Sequence, residues 1–107
     1  MITIEESSGN VYEDMGYPEA ESMQVRANLT SKIADIIHYR HLTQQQAAVI
    51  LGITQSELSR LLCGQFRGVS EVNMLECLNR LGRDVEIVIR KSPRLHKQGQ
   101  TTVVFAA

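Results

Sequence analysis

Residues 43–64 read TQQQAAVILGITQSELSRLLCG, and the spacing within this stretch decides the fold. Thr43 precedes three glutamines and a short run of small and aliphatic residues, which Gly52 closes. Thr54 then opens a second short helix. Ala47, Ala48 and Leu51 share one face of the first helix, and Leu58, Leu61 and Leu62 share one face of the second. Ala48 is small where a crossing helix must come close. Gly52 permits a positive φ at the helix end, and Ile53 puts an apolar plug in the turn. The outer face of the second helix carries Gln55, Ser56, Ser59 and Arg60. Hydrogen-bonding side chains on the exposed face of such a helix are what reading base edges in a major groove requires. The stretch predicts a helix-turn-helix.

Upstream, Pro18 suits the first position of a helix, with Glu19 and Glu21 near its positive end. No glycine or proline interrupts the chain from there to Tyr39. Met23, Ala27, Ile33, Ile36 and Ile37 supply an apolar stripe, read either as one long helix or as two abutting near Thr30 and Ser31. Downstream, Gly64 ends the second motif helix and residues 65–68 make a loop. Ser70 caps a further helix with Glu71 in its first turn, its inward face being Val72, Leu75, Leu78 and Leu81, and Gly82 ends it. After Gly82 the period changes. Asp84–Arg90 (DVEIVIR) alternates and is β-branched, and Thr101–Phe105 (TTVVF) is a second candidate strand after a basic connection. The two are expected to form a short hairpin, marginal by itself and so a candidate for pairing across a two-fold axis with a second copy of the chain.

The totals fit one domain of 107 residues. The expected divisions are an acidic arm over 1–17, a helical domain over 18–82 and a β extension over 83–107 serving dimerisation. Apolar runs reach five residues at most, too short to span a membrane, and the start MITIEESSGN has no secretory pattern. A cytoplasmic location is expected. Cys63 and Cys77 lack metal-ligand spacing and read as reduced, semi-buried thiols. His38 and His41 are three apart, but no carboxylate or cysteine stands at a matching position, so they read as surface and helix-terminal residues. No cofactor or metal is expected. Neither is catalysis, because no nucleophile stands beside an evident base and no phosphate loop or carboxylate pair appears.

The formal net charge of -1 hides a division. Residues 1–24 hold six acids (Glu5, Glu6, Glu13, Asp14, Glu19, Glu21) and no base, whereas residues 25–107 hold eleven bases against six acids. The body alone is mildly suited to nucleic acid. The acidic arm suits either a basic partner or simple solvation.

With these residues laid out, the chain resembles the XRE (phage-repressor or Cro-like) helix-turn-helix family over about Ser31 to Leu81, on LTQQQAAVILGITQSELSRLLCGQ. SGNVYEDMGYPEA near the start and LGRDVEIVIR with TTVVF at the end resemble the HigA-like antitoxin branch. The resemblance implies a mainly α, lambda-repressor-like domain of four or five helices with a short C-terminal β-strand or hairpin. It implies a DNA-binding transcriptional repressor, acting as a homodimer on double-stranded operator DNA and neutralising a RelE/HigB-like toxin. The alternatives are a stand-alone phage-type repressor or a helical protein-interaction module that binds no DNA. By the match, Gln44 holds phosphate and braces the reading helix, and Gln55 reads adenine. Gln45, Thr54, Ser56, Ser59 and Arg60 face bases or backbone, and Arg67 contacts backbone after Gly64. Glu57 departs from this pattern by adding a negative charge to the reading helix; a sideways orientation would keep it off the groove.

Overall fold

The computed structural model describes residues 2–3, 20–66, 68–92 and 99–106. Among them are four helices and two two-residue strands: β1 (Ile2–Thr3), α1 (Ala20–Tyr39), α2 (Gln44–Leu51), α3 (Gln55–Leu62), α4 (Glu71–Arg80) and β2 (Val104–Phe105). Helix α1 is a single helix through Thr30 and Ser31, which settles the choice between one helix and two. Its buried residues Val25, Leu29, Ile33, Ile36 and Ile37 step by four, four, three and one, the spacing of one helical face. That face lies mainly on α4 and also on α3, while α2 packs against α3 and α4. Ile33, Ile36, Leu58 and Met74 are the largest side chains closed off completely. The core therefore joins α1, α3 and α4, and α3 is built into it through Leu58.

Two details of the core depart from expectation. Val72 faces solvent at 71% exposure, and Met74 takes the inward place on α4. The Ser70 hydroxyl caps the helix where expected, accepting from Asn73 N at 3.2 Å, and it is the packing against α1 that turns Met74, Leu78 and Leu81 inward. Phe66, expected only as part of a loop, is 4% exposed and packs into the core. Cys77 is half-buried as expected, but Cys63 is exposed.

All four helices end alike. A residue at or just after the C-cap takes a positive φ: His41, Gly52, Gly64 and Gly82. In each, the amide of the following residue reaches back to a carbonyl five residues earlier (Leu42 to Ile37, Ile53 to Ala48, Gln65 to Arg60, Arg83 to Leu78). His41, at φ 54°, is the one L-residue among these four.

The C-terminal region is arranged differently from the expected hairpin. Strand β2 pairs antiparallel with β1, Ile2 opposite Phe105 and Thr3 opposite Val104. The partner of TTVVF is the start of the acidic arm, not DVEIVIR. Lys32 lies 5.0 Å from the Phe105 ring centroid, and Thr101 N donates to the Glu21 carboxylate, tying this end to α1. Residues 83–92 form no strand and are exposed throughout. Their β-like pattern needs a neighbour to supply a ladder, and none of the described segments does so. The rest of the expected 1–17 arm lies outside the described residues.

Candidate nucleic-acid interface

Both motif helices begin with the same device. Thr43 is the N-cap of α2: its Oγ1 accepts from Gln46 N at 3.1 Å, while the Gln46 side chain accepts from Thr43 N at 2.9 Å. Thr54 does the same for α3 with Glu57, at 3.0 Å in both directions. These reciprocal bonds satisfy two otherwise orphaned amides at each helix start and define the entry angle of the chain. They also sort the polar residues of the stretch into those committed to the fold and those that are free. Gln46 and Glu57 are committed. Gln44, Gln45, Gln55, Ser56, Ser59 and Arg60 make no side-chain hydrogen bond or ion pair among the described residues.

Five of these six are exposed, and Ser59 is half-buried. Thr54 is exposed as well, with its hydroxyl oxygen accepting from Glu57 N. Along α3 the buried Leu58 and Leu61 lie opposite Ser56 and Arg60, and Gln55 is exposed in the first turn, at the margin between the two sides. The exposed face carries donors and acceptors from Gln55 and Ser56, plus one positive charge from Arg60. An Arg fork and a Gln amide match the edges of guanine and adenine, and a serine hydroxyl bonds to either phosphate or base. Arg67 lies outside the described residues.

Glu57 does not disturb this face. Its carboxylate turns back onto the Thr54 amide, as the sideways orientation required. The Thr54 backbone and hydroxyl bonds, with help from Arg60, hold its pKa below the usual carboxylate value. It therefore stays ionised at neutral pH, where its charge suits the positive end of α3.

The turn between the two helices is held from outside. Gly52 adopts φ 71°, and a Cβ there would stand 2.7 Å from Arg80 Nη1. The Arg80 guanidinium, paired with Glu76 at 3.2 Å, thus covers the C-terminal end of α2, where the helix carbonyls carry partial negative charge. Arg40 donates to Leu81 O at 3.3 Å across the end of α4. The α1–α4 contact is fastened by Arg26, which is 7% exposed. Arg26 meets Glu71 at 3.2 Å, the Val69 carbonyl at 3.2 Å and Ser22 Oγ at 3.2 Å, and Ser22 also donates to Glu71. The Ser22 hydroxyl foremost, then the Glu71 backbone amide and the Arg26 charge, hold the Glu71 carboxyl below its usual pKa. The sequence carries no signal for this role of Arg26, since Val69 and Glu71 lie more than forty residues away.

A short helix, a glycine turn and a second helix exposing an uncommitted polar face define the class of helix-turn-helix proteins. The family model described as "Helix-turn-helix domain" matches residues 11–90. A solved structure described as an XRE-family transcriptional regulator is 38% identical, with a TM-score of 0.78 over 83% of this chain and 100% of that one. No match is found among curated proteins. The chain belongs to the XRE-type helix-turn-helix family. Among the described residues, no helix is long and apolar enough to cross a membrane.

Proposed function

We propose that this protein is a sequence-specific DNA-binding transcriptional repressor that acts as a homodimer, placing α3 in the major groove. The observation that carries this is the uncommitted polar face of Gln55, Ser56 and Arg60, on a helix whose own cap is already satisfied. Gln55 reads a base edge. Gln44, at the start of α2, holds a phosphate and sets the docking angle; Gln45, Thr54, Ser59 and Arg60 share the backbone contacts, together with Arg67. One short helix touches few bases, so discrimination is built by two copies on two half-sites about 34 Å apart, one helical turn on the same DNA face. A hydroxyl-radical footprint on the DNA upstream of the protein's own gene should show two protected patches, about 10–10.5 base pairs apart. A single patch would remove the dimer from this proposal; no protection at any concentration would remove the operator.

A second role rests on the charge of the arm. Six acids and no base over residues 1–24 make a segment suited to a basic partner, such as a small RNA-cleaving toxin of the RelE/HigB type. In this role the protein is also an antitoxin, with the arm as part of the inhibitory surface. Deleting residues 1–17 should abolish neutralisation of such a toxin while leaving most operator affinity in place. Undiminished neutralisation by the shortened protein would show that the arm is not that surface. Neither role requires a catalytic step or a cofactor.

A further inference from the structure

Residues 84–91 are the least explained part of the described chain. No backbone hydrogen bond joins them to another described segment. Ile87, Val88 and Ile89 are 73%, 68% and 93% exposed, and Val85 is 37% exposed. A soluble domain does not usually leave four β-branched side chains and a run of free amides and carbonyls on one extended segment. The segment follows directly from α4, whose end is fixed by Arg83 N donating to Leu78 O at 2.9 Å. Its start is therefore held at a set position on the body.

We infer that residues 84–90 pair antiparallel with the same residues of a second copy, in a register centred on Ile87. This rests on the homodimer proposed above and specifies how it is built. Side chains directly opposite in an antiparallel pair lie on one face. Centring on Ile87 sets Ile87 against Ile87 and Val85 against Ile89, so one face of the ribbon is wholly aliphatic. The other face sets Asp84 against Arg90 twice, opposite charges in both places, and Glu86 against Val88. The neighbouring registers are poorer. Centring on Glu86 opposes two like charges and puts Ile89 against Arg83. Centring on Val88 keeps a Glu86–Arg90 pair but puts Val85 against Lys91. Shifting by half a step sets Val85 against Arg90 and Ile89 against Glu86, which mixes the two faces.

The register is tested with the full chain carrying Cys63→Ser and Cys77→Ser, to which Ile87→Cys, Val88→Cys or Glu86→Cys is added singly. Opposite residues have Cα atoms about 4.5–5.5 Å apart, within disulfide range, whereas diagonal ones stand about 7–8 Å apart. Ile87→Cys should oxidise to a disulfide-linked dimer at least tenfold faster than the other two. All three positions are exposed, so the variants should keep the helical circular dichroism of the parent. A dimer by sedimentation that cross-links fastest through position 86 or 88 would overturn the register and leave the dimer standing. A parent chain that sediments as a monomer throughout the micromolar range, with no preferred cross-link, would overturn both.

Discussion

Replacing Leu58 with alanine is expected to destabilise the fold by about 2–5 kcal/mol. Leu58 is 0% exposed and sits where α3 meets the core shared by α1 and α4. Its removal forfeits both the transfer of the isobutyl group from water and the contacts around the void it leaves. A domain of this size has about 5–15 kcal/mol of total stability, so the loss is a large fraction of it. Each kcal/mol corresponds to about 4–8 °C in melting temperature, so a thermal melt followed by circular dichroism should fall by about 10 °C or more. A shift within about 2 °C would mean that α3 is not anchored through Leu58. Among the described residues α3 is joined to the body mainly by its apolar side, so the same change loosens the reading face.

Gln55→Ala is expected to have the opposite profile. Gln55 is exposed and makes no side-chain bond among the described residues, so its loss should leave the melt unchanged. Truncating a base-reading side chain costs about 1–3 kcal/mol per half-site. With two half-sites the loss is about 2–6 kcal/mol, roughly thirtyfold in affinity or more, since each 1.4 kcal/mol is tenfold. A fluorescence-anisotropy titration on the protein's own upstream duplex reads this directly. Non-specific binding rests on phosphate contacts, and the role proposed for Gln55 is at a base edge, so that binding should change little. The contrast between Leu58 and Gln55, three residues apart on one helix, separates holding the reading face from reading with it.

Much of this was legible in the residues. The helix-turn-helix core follows from local periodicity, a glycine at the one turn position that needs φ 71°, and threonines at two helix starts. The capping boxes were legible too, as Thr-x-x-Gln at 43–46 and Thr-x-x-Glu at 54–57. Gln46 and Glu57 suit an outer face as well as a cap by residue type, and only the folded geometry commits them to the caps. The inward face of α4 was ambiguous in principle: Val72–Leu75–Leu78–Leu81 and Met74–Leu78–Leu81 are both apolar at helical spacing and share Leu78 and Leu81. The Ser70 cap is common to both readings, and only the packing against α1 chooses between them. Arg26 and Arg80 could not be placed, because a charged side chain is buried, or laid over a distant glycine, only by partners far along the sequence. DVEIVIR shows the converse: its β pattern was plain, yet a strand is defined by its neighbour, and no described segment of this chain is that neighbour.

The central claim is that the outer face of α3 reads sequence. The most direct test is the ratio of affinities for the protein's own upstream duplex and for a scrambled duplex of equal length, measured at one fixed salt concentration for wild type and Gln55→Ala. A wild-type ratio of about a thousand or more, falling by at least about thirtyfold in the variant while binding to the scrambled duplex holds steady, is the predicted result. A wild-type ratio near one, or an equal loss on both duplexes, would contradict it.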